Sequence, residues 1–480
     1  VLANGNVAVL QGDDSTVNPR QFGAKGDNSN DDQEYIQASI DYMRDNGGGI
    51  VQLSEGGYKI ESPLKMYNSV YLIGQGTNTY PHNIDGTYIQ KAFNGDAITF
   101  TGSGQTVFED GWGVKNLNIF CDGNNFTGRG IYVFEASGFV LDNVLVTRAK
   151  SHPIHIQDSG FHQILHCRPI ECFGAVGTYN IYEQGTGDWH IDNCDFGNTP
   201  IYRNAVTGIR AENTTGRVSN CKIFFCRIGI DIALSTVQVT SNTLNDNFLG
   251  GVRNNGFESI INNNLVYNIE PVNVPDSNYI AFEDLAGRSC FVGNVVKYTP
   301  GSLLYAFQLN NVSKSIVTGN ICVGADGANV CNEVGGRKNT IVGNNFGAGV
   351  SSNITARDDT TNTVQDSIRH TAYSNNTTSN GFGIGMRYSA VFGADGSSPV
   401  DLLYIDAEFL SSNTSKVTFS SITGSKKEMM NFQIDKVSFA KGIRLGDVPS
   451  TQNSGDIWYD VTGGKLMARI SGVDREIQLV

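Results

Sequence analysis

A short phrase of apolar residues, a small polar residue and an asparagine recurs about every 25 residues through the middle of this chain. It reads VKNLNIF at Val114, VLDNVLV at Val140, ILHCRPI at Ile164, HIDNCDF at His190 and RVSNCKI at Arg217. It continues as VTSNTLN at Val239, IINNNLV at Ile260, CFVGNVV at Cys290, SIVTGNI at Ser315 and NTIVGNN at Asn339. Marking the repeat at Asn116, Asn143, Cys167, Asn193 and Asn220 gives steps of 27, 24, 26 and 27 residues. From Asn242 through Asn263, Asn294, Asn320 and Asn344 the steps are 21, 31, 26 and 24. A period of this length carried by β-branched segments is the signature of a solenoid, in which each unit buries its apolar face only against its neighbours. One coil of a parallel β-helix fits the period, because it holds about three short strands and three turns. Asparagine suits the turns, since it tolerates left-handed backbone angles and its amide can hydrogen-bond along the stack.

Composition agrees with an all-β chain. Of 480 residues 56 are glycine and only 17% are charged, a profile of many tight turns between strands. The net charge of −13 argues against a nucleic-acid footprint, which needs a basic face. No apolar run approaches the length of a membrane-spanning helix. The nine cysteines lack the close CxxC pairs of a zinc site, and Cys167/Cys172 repeat the five-residue step of Cys221/Cys226. They are expected as stacked, reduced core thiols of a protein assembled in a cytoplasm. The chain opens at Val1 without an initiator methionine, which is read as the mark of a removed signal or of an upstream domain cut away.

Residues 1–18 are weakly patterned and read as an arm or stub. FGAKGD (Phe22 to Asp27) and the Asp31–Asp32 pair then precede QEYIQASIDYMRDN, whose Tyr35, Ile36, Ser39, Ile40 and Met43 have helical spacing. The Asp pair is placed to cap that helix, GGG at 47–49 ends it, and IVQLSEGGYKI reads as strand, turn and strand. This whole segment closely resembles the opening of the pectate-lyase-like superfamily, a pattern shared with phage tailspikes and polysaccharide depolymerases. The resemblance implies a right-handed parallel β-helix over 19–367 whose N-terminal mouth is capped by the helix. From about Ile368 the pattern changes to alternating segments, GIGMRYSAVFGADG, DLLYIDAEFL and KVTFSSI, expected as a β-sandwich over 368–440. The final GDIWYD, glycine turn and KLMARI resemble the C-terminal tips of phage tail fibres and spikes, which implies a small trimeric β tip over 441–480. The resemblance thus implies a homotrimeric tailspike: made in the host cytoplasm, carried on the virion tail through a missing N-terminal domain, and acting at the bacterial surface.

Candidate chemistry is read from rung geometry. Equivalent positions on successive coils lie about 4.8 Å apart and same-face neighbours along a strand about 6.7 Å. Registered on Cys167 and Asn193, Glu171 and Asp195 share parity on adjacent coils, with a diagonal on the order of 8 Å, the spacing of an inverting pair of acids. Asp192, Glu183 and Asp188 are close rivals, the last two flanking the loop YEQGTGDW, and Glu212 and Asp231 are fallback acids one coil on. Asp142, His166 and Asp192 form a column that is either an imidazole held protonated between carboxylates or a stabilising stack at a turn. Five of the seven histidines fall between His152 and His190. Arg148, His155, His166, Tyr182, Trp189, His190, Arg203 and Arg210 accordingly make a candidate saccharide-binding set, since aromatic faces pack on sugar rings and Arg or His holds acidic groups. No metal ligand set and no cofactor motif is seen, and CDGNN at Cys121 reads as a structural turn.

The resemblance, taken with these residues, implies a depolymerase that cleaves a bacterial surface polysaccharide (capsule, exopolysaccharide or O-antigen) by two-carboxylate glycoside hydrolysis. Two alternatives stand beside it. One is a lyase that eliminates across a uronic acid using the histidine and tyrosine cluster; the other is a glycan-binding receptor protein without catalysis.

Overall fold

The computed structural model describes residues 15–77, 86–102, 111–200, 205–267, 279–297, 305–310, 312, 314–323, 331–334, 339–342 and 344, together with the backbone of ten strands between Ser352 and Glu476. The chain divides into two compact units, 1–336 and 337–480.

The first unit is a right-handed parallel β-helix. An eleven-stranded sheet runs from Leu64–Lys65 to Cys331–Val334, and a second, continuous set of strands folds around the remaining two sides of each coil. The strands of the eleven-stranded sheet that matter below are β1 (Ile131–Phe134), β2 (Ile154–Gln157), β3 (Thr178–Gln184), β4 (Val206–Glu212), β5 (Ile228–Ala233), β6 (Gly250–Asn255), β7 (Ile280–Asp284) and β8 (Tyr305–Asn310). All pair in parallel, so Ile131, Ile154, Ile181, Ile209, Ile230, Val252, Phe282 and Phe307 stack as one inward column. None of them exceeds 1% exposure, and each such side chain contributes roughly 1.5–3 kcal/mol by leaving water.

The mouth of the solenoid is closed as expected. Helix α1 (Gln33–Asp45) buries Ile36, Ser39, Ile40 and Met43 against the first strands, including Gly49–Gln52. Gly47, Gly48 and Gly49 all have positive φ, and a Cβ at Gly49 would lie 2.6 Å from the Met43 sulfur. The aspartates divide their work: Asp31 accepts from the Gln33 N–H at 3.1 Å. Asp32, fully buried, accepts from the Lys25 and Gly26 N–H groups at 2.6 and 2.9 Å and ties down the FGAKGD loop. Thr16 and Val17 already pair with Ile50 and Val51, so the first coil begins inside the segment read as an arm, whose residues 1–14 lie outside the described ones.

The asparagine repeat proves to be two adjacent columns. Asn116, Asn143, His166, Asn193, Asn220, Ser241, Asn263, Gly293 and Gly319 each take positive φ, between 52° and 66°, and turn one corner of every coil. The residue after the corner points inward. In the earlier coils it is Cys167, Cys194 and Cys221, stacked and buried as free thiols. Later it is Asn242, Asn264, Asn294 and Asn320, all 1% exposed or less. Each of Asn242, Asn264 and Asn294 donates its backbone and side-chain N–H to the Oδ1 of the next asparagine, at 2.8–3.0 Å. Its amide also reaches a strand carbonyl of an earlier coil at 2.9–3.1 Å. The ladder starts on a thiol position, for the Cys221 N–H donates to Asn242 Oδ1 at 2.9 Å. Burial pushes the Cys167 and Cys194 thiols well above their ordinary range.

In the second unit, strands from Ser352 to Leu445 form one seven-stranded antiparallel meander in sequence order. Gly383–Ala390, Val400–Phe409 and Thr414–Thr423 are among them, as their alternation suggested. Among the described residues they make a single sheet where two facing sheets were expected, and it begins before residue 368. Ile457–Asp460, Lys465–Ile470 and Val473–Glu476 form a separate three-stranded antiparallel sheet.

Candidate functional site

The outer side of the eleven-stranded sheet collects most of the polar and aromatic side chains that could meet a ligand. Tyr132, His155, Tyr182, Arg210, Asp231, Arg253, Glu283 and Gln308 are register partners on eight successive strands, β1 to β8. A second line runs beside them through Tyr179, Thr207, Ile228, Gly250 and Ile280. Between the two lines the backbones of Gly208, Gly229 and Gly251 lie against the next strand. A Cβ there would come 2.3, 2.7 and 2.6 Å from the carbonyl oxygens of Gly229, Gly251 and Ala281. Only glycine permits that approach.

At one end of this surface four rings crowd together. His152 stacks on Tyr179 and His155 on Tyr182, with centroids 5.2 and 4.6 Å apart, and Tyr179 and Tyr182 are 4.8 Å apart. Arg129 chelates Asp96 through Nε and Nη2 at 2.9 and 2.8 Å and donates Nη1–H to His155 Nδ1 at 2.7 Å. That acceptor role leaves the proton on His155 Nε2, which faces Gln184 Oε1 at 3.2 Å. His152 Nδ1 likewise accepts from the Tyr179 N–H at 3.1 Å. Both imidazoles are therefore neutral. Burial, the neighbouring His152 and Arg129 push His155 down to about 3, and burial and Arg129 push His152 down to about 4. The two rings offer N–H donors, not bases.

The centre of the surface is a charged relay. Tyr182 donates its hydroxyl to Glu212 Oε2 at 2.9 Å. Arg210 donates Nε–H to the same oxygen at 3.3 Å and Nη1–H to Asp231 Oδ2 at 2.5 Å. Burial and the adjoining Glu212 raise Tyr182, so its phenol keeps its proton. Asp231 pairs with Arg210 across β4 and β5 while Glu212 lies two residues beyond Arg210 on the same face. Glu212 and Asp231 thus stand diagonally on adjacent coils, their backbones on the order of 8 Å apart, with one guanidinium bridging their carboxylates. One coil further, Arg253 donates Nε–H to Glu283 at 2.9 Å.

The structure gathers three of the sequence-derived binding candidates here, His155, Tyr182 and Arg210. The others are dispersed. Trp189 is 2% exposed and donates to Thr214 Oγ1 inside the coil. His190 faces Ser219 Oγ at 2.8 Å in the other set of strands. His166 turns a corner and is bound to Asp142 at 2.9 Å. Arg148 also has positive φ and is paired with Glu171 at 3.1 Å. Arg203 lies outside the described residues.

The acids need a larger correction. Marking the repeat at Cys167 was one residue late, because His166 takes the corner that Asn193 takes on the next coil. Ile170 pairs with Gly197, so Asp195 stands level with Arg168, while Glu171 lies three residues beyond that level in a positive-φ turn. The two do not share a face. Asp192 accepts from Ser219, Asn220 and Asn193 at 2.5–2.9 Å and belongs to the corner stack rather than to a triad with His166. Asp188 is an exposed corner residue. Glu183 is fully buried, 3.1 Å from the equally buried His162. The fallback acids Glu212 and Asp231 are the ones that meet the aromatic cluster. Two residues of the ring cluster were outside the candidate set: Arg129, which enters through its contacts with Asp96 and His155, and His152, which lay in the histidine-rich stretch and enters through its stacking on Tyr179.

Among the described residues no cluster of three or more His, Cys, Asp or Glu could hold a metal ion, and no helix is long and apolar enough to cross a membrane. Comparison with known proteins puts the fold in context. The family described as rhamnogalacturonase A/epimerase, pectate lyase-like, matches residues 16–271, just over half of the chain. The chain belongs to this family. Within this pectate lyase-like family setting, curated relatives include mannuronan C5-epimerase AlgE3 and alginate lyase 7, both of Azotobacter vinelandii. They are 29% identical over 138 residues and 32% identical over 135 residues, covering 27% and 25% of this chain. The chain spans only 7% and 14% of the length of those two proteins. Among solved structures, ORF18 of Geobacillus virus E2 aligns over 97% of this chain and 86% of its own, with a TM-score of 0.51 and 13% identity. The DFA-IIIase of Arthrobacter chlorophenolicus A6 aligns over 70% of this chain and 97% of its own, with a TM-score of 0.57 and 15% identity. These likenesses describe the fold. All the groove residues named above except those of β7 and β8 lie inside the family match.

Proposed function

We propose that this chain is a polysaccharide-cleaving enzyme whose reaction centre is the Tyr182–Glu212–Arg210–Asp231 relay. The observation that carries the reading is the diagonal placement of Glu212 and Asp231 on adjacent coils, joined by one guanidinium. Two carboxylates separated by about 6.5–9.5 Å leave room for a water between one of them and the sugar, the arrangement of inverting glycoside hydrolysis. Glu212 accepts from two donors and has the more exposed carboxylate, which suits the base that activates water. Asp231 is the more enclosed. In this reading Asp231 is the acid that hands a proton to the leaving oxygen. Tyr179 and Tyr182 supply faces for sugar rings and the neutral imidazole of His152 an N–H donor, while the His155 N–H is held by Gln184.

The substrate we infer is a bacterial surface polysaccharide, and the setting a phage tailspike acting as a homotrimer at the cell surface, carried through a domain N-terminal to this segment. Support comes from the capped opening segment, from the three-stranded tip and from the chain-long likeness to a viral protein. On this reading 19–367 binds and cleaves the glycan, 368–440 and the 441–480 tip hold the trimer, and 1–18 leads to the particle.

A second reading, β-elimination on a uronic acid, is favoured by one observation. Tyr182 holds its proton while touching Glu212, so Glu212 takes the C5 proton as Tyr182 protonates the leaving oxygen, with the His152 N–H on the uronate carboxylate. The match to an alginate lyase points the same way. The test is to incubate the purified protein with capsular polysaccharide from a susceptible host, following reducing ends and near-ultraviolet absorbance together. New reducing ends with flat absorbance establish hydrolysis; rising absorbance from an unsaturated sugar overturns it in favour of elimination; neither signal overturns both.

A further inference from the structure

One coil beyond Asp231 the groove opens into a cavity of about 350 Å³, lined by Ile228, Leu249, Gly250, Ile280, Arg253 and Glu283. That volume stands at the small end of ligand sites, room for one substituted sugar unit. The cavity exists because one coil lacks a side chain. Ile228 and Ile280 flank Gly250 on successive strands, so a gap the size of a small apolar group opens between two branched side chains.

Its polar groups are all on one side. Arg253 donates Nε–H to Glu283 Oε2 at 2.9 Å, and its Nη groups make no hydrogen bond among the described residues. Glu283 Oε1 is also uncommitted there. The site therefore presents an apolar recess, a pair of cationic N–H donors and a carboxylate acceptor side by side. An acetamido group is complementary to all three, with its methyl in the recess, its carbonyl oxygen on Arg253 and its N–H on Glu283. A plain hydroxyl leaves the recess empty, and a methyl of a deoxy sugar leaves the charged pair unmatched.

We infer that the Gly250 recess is a subsite for a 2-acetamido sugar, one unit from the reacting bond. The inference rests on the glycan-cleaving reading and names its substrate class as a polysaccharide with N-acetylated amino sugars.

Binding of N,N′,N″-triacetylchitotriose, against cellotriose as the unsubstituted control, tests it by ligand-observed NMR and calorimetry on the whole protein. Strong saturation transfer to the acetyl methyls is expected, with cellotriose binding at least about tenfold weaker. Arg253→Met should cost about tenfold for the acetylated probe alone. Gly250→Val should abolish the methyl signal. Because a Cβ at Gly250 would sit 2.8 Å from the Ile280 carbonyl oxygen, a Leu249→Ala variant that widens the recess without that contact serves as the second check, with methyl transfer reduced. Equal binding of the two probes, or methyl signals indifferent to all three substitutions, overturns the subsite. The two levels separate cleanly. Polysaccharide cleavage without selective acetyl binding sinks the subsite alone. Selective binding without cleavage of any glycan sinks the enzymatic reading and leaves the subsite standing.

Discussion

Asp231 and Glu212 share a single guanidinium: Arg210 reaches Oδ2 of the first at 2.5 Å and Oε2 of the second at 3.3 Å. If these are the acid and the base, Asp231→Asn and Glu212→Gln each remove proton transfer while keeping shape. Each should lower kcat by about 10²–10⁴ with an unchanged circular dichroism spectrum. Reducing-end release measures it, and a loss under threefold in both variants would sink the assignment.

Tyr182→Phe separates the two reaction readings. In hydrolysis its hydroxyl only orients Glu212, so a loss of about tenfold or less is expected. In elimination it is the proton donor, and the loss should reach about 10² or more. Initial rates on the same polysaccharide decide between them.

The neutral histidines make stability depend on pH. His155 and His152 lie at about 3 and about 4 in the folded chain, against an ordinary value of 6.5. The unfolded chain therefore binds more protons between those limits, and stability must fall as pH drops from about 6.5 towards 4. Thermal melts across that window should show a falling Tm. The double variant His152→Asn, His155→Gln should flatten the slope. An unchanged slope would mean that carboxylates carry the whole effect.

Glu183 is fully buried against His162, so it has no access to substrate. Glu183→Gln should leave kcat within about twofold, while altering the melting temperature because an amide replaces the buried carboxyl that faces His162 Nε2 at 3.1 Å. A collapse of kcat in a folded variant would return Glu183 to the reaction.

In the asparagine ladder, Asn264→Leu leaves the backbone and side-chain N–H groups of Asn242 without their shared acceptor. Each orphaned buried donor costs about 1–3 kcal/mol. Denaturant unfolding should register the sum, whereas Asn263→Gly at the exposed corner next door should cost little, since its positive φ suits glycine.

The solenoid, its capping helix and the alternating strands of the second unit were legible because each is a period in the hydrophobic pattern. The candidate groove was only half legible. His155, Tyr182 and Arg210 were singled out by residue type, but pairing acids across coils requires the register to a single residue. At ILHCRPI the corner passes from asparagine to His166, and the eye slides to the cysteine. That one-residue error put Glu171 and Asp195 on a shared face they do not have. The buried state of Glu183 and Trp189 follows from alternation with their neighbours Tyr182 and His190, so selection by residue type placed both faces of one strand in the same candidate set.

The columns of the groove carry a last implication. The coils themselves are nearly interchangeable, each offering the same corner and the same inward apolar residue to its neighbours. Consider one whole coil excised in register. The outer face would read differently, as a sentence does when a word is dropped. Without the coil that carries Asp231, Arg253 would slide up beside Arg210 and two cations would meet where a cation now meets an acid. The scaffold repeats from coil to coil, while the order of side chains along its axis is what a bound ligand would meet.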